Sequence, residues 1–320
     1  MRLIIDTDTA GDDCFSVLLA LAHPGVKLEA LTICNGNVAF ERQVENALYT
    51  LEAAGQGGNI PVYAGIPKPL MRPPLDAAYV FGLDGMSDAN FPQAKQRPEA
   101  KHAVDAIIDL VMANPGEITL LAQAPLTNIG LAVAKEPRIA QALKALWIMG
   151  GTDNGLGNVT PAAEFNFYVD PEAARMVFQA GFNISLVTWT LTVASSEMSE
   201  ADLAAVEAME TPLSRFFTTV NAAAVAFSRA RYGHGGTLHP DSLACACLLD
   251  DSLITASEAC VVEIETGGGL TRAYSSVSSS LLPDQEEADP ALGVAGAPNA
   301  RVIKAVDSAK FRRVLTDALR

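Results

Sequence analysis

Four carboxylates near the N-terminus are the residues of this chain best suited to chemistry. Asp6, Asp8, Asp12 and Asp13 follow directly on the apolar run at residues 3–5, which is typical of a buried strand. Negative charges this close repel one another and raise each other's pKa unless a cation neutralises them. Carboxylate oxygens favour a hard cation such as Ca²⁺ or Mg²⁺. The cluster therefore predicts a metal or substrate site.

Two other interpretations of this cluster are open. Asp12 and Asp13 would occupy the first turn of the next helix, where capping and the helix dipole favour an acid by roughly 0.3–1 kcal/mol each. That would account for one aspartate but not for four. The segment Asp6-Thr7-Asp8-Thr9 is also similar to the nucleophile strand of haloacid dehalogenase-type phosphatases.

A second polar group follows Met149-Gly150-Gly151. It contains Asn158, Glu164 and Asn166. The asparagine amides donate and accept hydrogen bonds and the glutamate carboxylate accepts them, so the group as a whole offers the donors and acceptors that sugar hydroxyls require. A helix start explains Asp170 before Pro171, but it does not explain Glu164 together with Asn166. A third candidate, Asp241, precedes an apolar helical run, and N-capping explains it as well as metal binding does.

These polar groups fall at the predicted ends of strands. We expect strands at Leu3–Ile5, Leu28–Cys34, Ile118–Ala122, Ala145–Met149 and Ile184–Val187. Helices are expected between them, at Asp12–Ala22, Phe40–Ala54, Val104–Ala113, Leu126–Ala134 and Pro171–Ala180. This alternation predicts an α/β fold with an open, mostly parallel, Rossmann-like sheet and helices on both faces. Ligands of such sheets bind outside the carboxyl ends of the strands.

The remaining segments carry weaker signals. The pattern predicts helix over Ser199–Ala230, β structure over Val261–Glu265 and Thr271–Val277, and irregular segments over Pro67–Pro98 and Leu282–Asn299. Since neither a repeat nor a break in composition divides the chain, we expect a single catalytic domain over residues 1–320.

Composition excludes some classes of partner and indicates the cellular compartment. The net charge of -15 argues against nucleic acid and anionic membranes. The five cysteines lack the spacing of a zinc site and are expected to be reduced, which fits a cytoplasmic protein. No signal peptide or membrane span is expected, because Met1 leads straight into the first strand and no apolar run is long enough.

Taken together in order and spacing, the motifs resemble the inosine–uridine-type nucleoside hydrolases, or nucleoside N-ribohydrolases, from Arg2 to near Arg320. The resemblance depends on the four aspartates and on the motifs Asn35-Gly36-Asn37, Ala124-Pro125-Leu126-Thr127-Asn128, Met149-Gly150-Gly151, Ala163-Glu164-Phe165-Asn166 and Asp241-Ser242-Leu243-Ala244. The phosphatase alternative fails, because no matching lysine and late acidic pair is present.

The resemblance implies a role for each matching residue. A single Ca²⁺ would be bound by the carboxylates of Asp8, Asp13 and Asp241 and by the backbone carbonyl of Gln123, with the ribose hydroxyls completing its shell. Asp8 would also be the general base. The ribose would be held by Asp12, Asn37, Met149, Asn158, Glu164 and Asn166. Asp6 would orient this network from a buried position.

The part of the site that holds the base departs from the family pattern. Many members have His directly before the last metal-binding aspartate, where this chain has Pro240, with His239 one place earlier. Other members have His before a Gly-X-Asp-Gly segment, where this chain has Phe81. Phe81, Tyr232 and His239 are therefore the candidates on the base side, with His234 as a further candidate for the leaving-group acid.

The resemblance implies Ca²⁺-dependent hydrolysis of the N-glycosidic bond of ribonucleosides in nucleoside salvage, by a homodimer or homotetramer. Two alternatives stay open at this point. The same fold could act on a different or modified riboside, or it could bind ribose or nucleosides with weak turnover. Retention of Asp8, the residue that would act as base, favours an enzyme.

Overall fold

The fold is described by a computed structural model that covers residues 1–279 and 297–320. Its strands are β1 (Arg2–Thr7), β2 (Lys27–Ile33), β3 (Val62–Ala64), β4 (Ile118–Ala122), β5 (Ala145–Met149), β6 (Ile184–Val187), β7 (Glu197–Met198), β8 (Thr237–Leu238), β9 (Ile254–Ile264), β10 (Ser275–Ser278) and β11 (Ala300–Val306).

Helices connect most of these strands. They are α1 (Asp12–Ala22), α2 (Phe40–Ala53), α3 (Ala78–Phe81), α4 (Ala103–Ala113), α5 (Thr127–Lys135), α6 (Ile139–Ala142), α7 (Phe165–Val169), α8 (Pro171–Gln179), α9 (Trp189–Ser195), α10 (Glu200–Glu207), α11 (Pro212–Tyr232), α12 (Pro240–Leu249) and α13 (Ser308–Asp317). Within the described ranges, none of them is long and apolar enough to span a membrane.

The described strands form one large sheet and a two-stranded ribbon of β7 and β8. The order in the large sheet is β10-β9-β11-β6-β5-β4-β1-β2-β3. Pairing is parallel from β11 to β3, and β9 pairs antiparallel with both β11 and β10. The chain runs from β1 outward to β3 and then returns to place β4 on the other side of β1. A crevice for ligands opens where the strand order reverses in this way.

Two apolar cores cover the two faces of the sheet. Because successive side chains of a strand point to opposite faces, Leu3 and Ile5 of β1 belong to one core and Ile4 to the other. The first core contains residues of α1, α2, α11, α12 and α13, and the second contains residues of α4, α5 and α8. The predicted α/β class, with a mostly parallel sheet and helices on both faces, is confirmed.

Several predicted segments needed correction. Ser199–Ala230 is two helices, because Glu210 has φ 54° and Pro212 restricts the residue before it to extended backbone. In another segment, the predicted loop Pro67–Pro98 contains the short helix α3. The predicted strand Thr271–Val277 begins only at Ser275, after a turn. Of the irregular segment Leu282–Asn299, residues 282–296 lie outside the described residues.

Several strands and helices were not predicted, namely β3, β7, β8, β11, α6, α7, α9 and α13. The single domain over residues 1–320 stays a prediction, although the large sheet takes strands from Arg2 to Val306. All five cysteines are buried, and their thiols are free in this structure.

Candidate active site

The candidate carboxylates meet at the carboxyl end of β1. Asp8 lies just past that strand, Asp12 and Asp13 form the first turn of α1, and Asp241 lies in the first turn of α12. Helix α12 packs against α1, so a residue from the C-terminal third reaches the N-terminal cluster. All four side chains are buried, with relative exposures between 0% and 7%.

Asp8 has one oxygen fixed and one free. Its Oδ2 accepts a hydrogen bond of 2.9 Å from the backbone N–H of Asn37, whereas its buried Oδ1 has no partner among the residues that the structure describes. The backbone at Gly36 passes so close that an added Cβ would lie 1.9 Å from Asp8 Oδ2. Glycine at position 36 therefore allows the loop after β2 to hold Asp8 in place.

Asp13 is fully hydrogen-bonded by its surroundings. Its Oδ1 accepts from Thr7 Oγ1 at 2.6 Å and from Gln123 Nε2 at 3.1 Å. Its Oδ2 accepts from the N–H of Ala10 at 3.2 Å and from Asn37 Nδ2 at 3.0 Å. These donors stabilise an ionised carboxylate, yet burial still raises the pKa of Asp13 to about 6.

Asp12 connects the two helices that contribute carboxylates. Its Oδ2 accepts a hydrogen bond of 2.9 Å from the backbone N–H of Asp241. Burial, followed by the charge of Asp13, raises the pKa of Asp12 well above its usual value. The pKa of Asp241 is also raised well above the usual value, first by burial and then by the neighbouring carboxylates. The carboxylates of the cluster are therefore buried together and repel one another.

Whether this cluster suits a cation depends on its donors. Within residues 1–279 and 297–320, no group of three or more Asp, Glu, His or Cys side chains already surrounds a single point in the manner of a metal site. The donors are nevertheless all oxygens, and Asp8 Oδ1 is buried without a partner. Burial and Asp13 together raise the pKa of Asp8 well above its usual value. A hard cation would give Asp8 Oδ1 a partner and would offset the cost of keeping the buried carboxylates ionised. The residues therefore fit such a cation.

A pocket lies above the carboxylates at the same end of the sheet. Most of the predicted site residues line it, namely Asp12, Asn37, Phe81, Gln123, Met149, Asn158, Glu164, Asn166, Tyr232 and Asp241. Asp8, Asp13 and His239 do not line it. The structure thus brings the predicted sugar-binding residues together around one cavity.

Glu164 and Asn166 form the wall next to β5. Glu164 caps α7: its Oε1 accepts from the N–H of Asn166, and its Oε2 accepts from those of Gly151 and Phe167. Capping thus accounts structurally for Glu164, which had no such explanation from sequence. Burial raises its pKa to about 7 despite these bonds. Asn166 Nδ2 contacts the carbonyl oxygens of Met149 at 3.2 Å and Gln123 at 3.4 Å.

Aromatic side chains line the opposite part of the pocket. Phe81 lies against Gly11, where an added Cβ would be 2.4 Å from the ring. Tyr79 of α3 and Phe227 of α11 have ring centroids 5.8 Å apart, and Tyr232 meets Phe227 edge-on at 6.2 Å. Trp189, the first residue of α9, also lines the pocket. This part of the pocket suits a flat ring.

His239 lies behind the pocket wall. It is fully buried, and its ring stacks on Phe217 and lies near Phe15, with centroid distances of 5.6 and 5.8 Å. Burial lowers its pKa to about 3. Its Nε2 is 3.0 Å from Thr237 Oγ1, and Thr237 does line the pocket. The other histidine candidate, His234, is half exposed and lies 3.6 Å from Glu197.

Sequence reasoning missed several lining residues, including Tyr79, Trp189, Ala224, Ser228 and Thr237. Ala224, Phe227 and Ser228 are three and four positions apart and so share a helix face, a signal that was available. Trp189 follows β6 and matches the rule that strand ends carry ligands. Tyr79 and Thr237 gave no comparable signal.

The mostly parallel α/β sheet, with an acidic crevice and a pocket that is polar on one side and aromatic on the other, is compatible with a nucleoside hydrolase, and comparison with known proteins shows that family. The family model described as "Inosine-uridine preferring nucleoside hydrolase" matches residues 3–313, and the chain belongs to that family. It is an enzyme, a hydrolase acting on N-glycosyl compounds.

Individual relatives cover most or all of the chain. An uncharacterized protein of Schizosaccharomyces pombe is 36% identical over 324 residues, covering 100% of this chain and 99% of that protein. The Escherichia coli pyrimidine-specific ribonucleoside hydrolase RihB is 33% identical over 270 residues, covering 84% of each. The solved structure of the plant nucleoside hydrolase PpNRh1 has a TM-score of 0.93 at 29% identity, covering 99% of this chain and 98% of that one.

Proposed function

We propose that this enzyme hydrolyses the N-glycosidic bond of ribonucleosides with a bound Ca²⁺ and releases ribose and the free base. The observation that carries the proposal is the Asp8 oxygen that is buried without a partner among the described residues, in a carboxylate cluster whose Asp12 and Asp241 line a pocket with one polar and one aromatic part. A ribose needs the polar part, and a nucleobase needs the aromatic part.

The cation would be held by the carboxylates of Asp8, Asp13 and Asp241 and the backbone carbonyl of Gln123. Only oxygen ligands are offered, which favours Ca²⁺ over a softer metal. The unpartnered oxygen of Asp8 and the mutual repulsion of the carboxylates support this assignment. When bound, such a cation neutralises the cluster, orients the ribose hydroxyls and makes a nearby water more acidic.

The side chains of the chain perform the remaining steps. Asp12, Glu164 and Asn166 hold the ribose in the pocket, with Asn158 at its mouth. Asp8 accepts a proton from a water whose oxygen bonds to the anomeric carbon, while the electron pair of the C–N bond leaves with the base. The carboxylate of Glu164 stabilises the positive charge that develops on the sugar ring.

Membership of an enzyme family disfavours the alternative of a binding protein without turnover. The alternative of a different or modified riboside concerns only the aromatic part of the pocket. Phe81, Phe227 and Tyr232 offer flat contacts and little hydrogen bonding there, so they select a ring more strongly than they select one base over another.

Two measurements test the proposal. Release of free ribose from purine, pyrimidine and modified ribonucleosides tests the reaction, and lack of turnover of every riboside would refute it. Elemental analysis after dialysis tests the metal: we expect one Ca²⁺ per chain in the wild type and none in Asp13→Ala. Asp170→Asn is the matched control, because Asp170 is equally buried but caps α8 outside the pocket. Full Ca²⁺ retention by Asp13→Ala would refute the ligand assignment.

We further propose a homodimer or homotetramer that acts in the cytoplasm in nucleoside salvage. The family resemblance supports the assembly, and the five unpaired cysteines fit a reducing compartment. Sedimentation velocity measures the assembly, and a monomer at micromolar concentration would contradict it.

A further inference from the structure

We propose that the hydroxyl of Thr237 donates a hydrogen bond to the leaving base, and that Asn221 and the buried His239 aim it there as positioning residues. This inference rests on the proposed function. It assigns to Thr237 an interaction on the side of the site where the sequence departs from the family pattern.

Thr237 occupies a suitable position. It belongs to the short strand β8, which packs beside α11, and it lines the pocket together with Phe227 and Ser228 of that helix. It precedes Asp241 by four residues, so it is near both the aromatic part and the carboxylates. Only 2% of its surface is exposed, so a hydrogen bond made there would be shielded from water.

The hydrogen bonds around Thr237 determine where its hydrogen can go. Asn221 Nδ2 donates to Thr237 Oγ1 at 3.0 Å, and His239 Nε2 lies 3.0 Å from the same oxygen. His239 Nδ1 is buried and has no hydrogen-bond partner within residues 1–279 and 297–320. If Nδ1 carried the ring hydrogen, a buried N–H would be left unpaired, and such donors are rare. The hydrogen therefore lies on Nε2 and is donated to Thr237.

Thr237 Oγ1 then accepts two hydrogen bonds and has no lone pair left for a third. Its own hydrogen must be donated, and among the described residues no other acceptor lies within hydrogen-bond distance. The pocket is the remaining direction. His239, which cannot contact a base from its buried position, thus acts through Thr237.

The acceptor follows from the chemistry of nucleobases. Purines and pyrimidines both carry an acceptor next to the glycosidic nitrogen, a ring nitrogen in the former and a carbonyl oxygen in the latter. Negative charge on the base grows as the C–N bond breaks, so a donor aimed at that acceptor stabilises the transition state more than the ground state. A p-nitrophenolate leaving group has no such neighbouring acceptor and does not need the donor.

The test compares kcat/KM for inosine, uridine and p-nitrophenyl riboside. Thr237→Val keeps the shape and removes the hydroxyl, and we expect it to lower kcat/KM for both nucleosides about tenfold, as for one lost hydrogen bond. The kcat/KM of Thr237→Val for p-nitrophenyl riboside should stay within about twofold of the wild-type value. Thr237→Ser, which keeps a hydroxyl, should recover the wild-type kcat/KM for both nucleosides. Thr50→Val is the matched control, because it also removes a buried hydroxyl but lies on α2, outside the pocket.

A second variant keeps Thr237 but changes the acceptor of its hydroxyl hydrogen. In Asn221→Asp the new carboxylate accepts the Thr237 hydrogen, so the same loss, confined to nucleosides, is expected. This variant decides the matter if Thr237→Val does not fold. Unchanged nucleoside turnover, or equal loss on p-nitrophenyl riboside, would overturn the inference in either variant. A wild type inactive on every riboside would instead refute the proposed function, and this inference with it.

Discussion

Glu164 gives a pH dependence of stability that can be worked out from its surroundings. Burial raises its pKa from 4.5 to about 7, and three backbone N–H groups that donate to it only partly offset this. The folded protein therefore binds more protons at this group than the unfolded chain does between those two pH values. Stability contributed by protonated Glu164 is present below pH 4.5 and is lost as the pH rises to 7.

The size of the loss follows from the shift in pKa. Each pKa unit is equivalent to about 1.4 kcal/mol, so ionisation of Glu164 lowers the free energy of unfolding by about 3 kcal/mol over this interval. The group is 2% exposed, so screening by water reduces this value little. Glu164→Gln keeps the size of the side chain and cannot ionise, so it should lack this component.

The assay is urea unfolding in the presence of a chelator at pH values from 4.5 to 7.5. We expect the difference in unfolding free energy, wild type minus Glu164→Gln, to fall by about 3 kcal/mol as the pH rises. Glu207→Gln removes an exposed glutamate and serves as the control, with little change in slope. A pH-independent difference for Glu164→Gln would refute the reasoning, because it would mean that burial does not hold the proton on Glu164.

Three further predictions concern the ribose and the base catalyst. Asp8→Asn should lower kcat by roughly 10²–10⁴-fold in steady-state assays, and near-normal turnover would show that another group takes the proton. Gly36→Ala places a Cβ 1.9 Å from Asp8 Oδ2 and should lower kcat at least tenfold. The control is Gly268→Ala, whose added Cβ meets no atom of the described residues within 4 Å. Inosine should be hydrolysed at least 10²-fold more efficiently than 2′-deoxyinosine, since polar groups built for a hydroxyl would be left unpaired; equal kcat/KM would contradict this.

The sequence predicted the polar part of the site better than the aromatic part. Asp8, Gln123 and Met149 each follow or end a buried strand, so the rule for parallel sheets was enough to place them together. Asp241 was ambiguous from sequence, because only the packing of α12 on α1 distinguishes a helix cap from a residue of the crevice.

The aromatic part depends on tertiary packing that local patterns do not encode. Phe227 faces the pocket because α3 packs on α11, and α3 lies in a segment whose Pro, Gly and Asp content predicted only a loop. The direction of His239 likewise depends on the rings of Phe15 and Phe217, which come from distant parts of the chain. A sequence identifies such residues as candidates but does not show which way they point.

The bond between Asp12 Oδ2 and the N–H of Asp241 joins residues 229 positions apart. During synthesis the N-terminal aspartates leave the ribosome long before α12 exists, so a growing chain carries their mutual repulsion without the residue that completes the crevice. A cation bound both by the aspartates that follow β1 and by Asp241 of α12 would then link the N-terminal part of the sheet to the last third of the chain. Such binding stabilises the folded state of the whole chain.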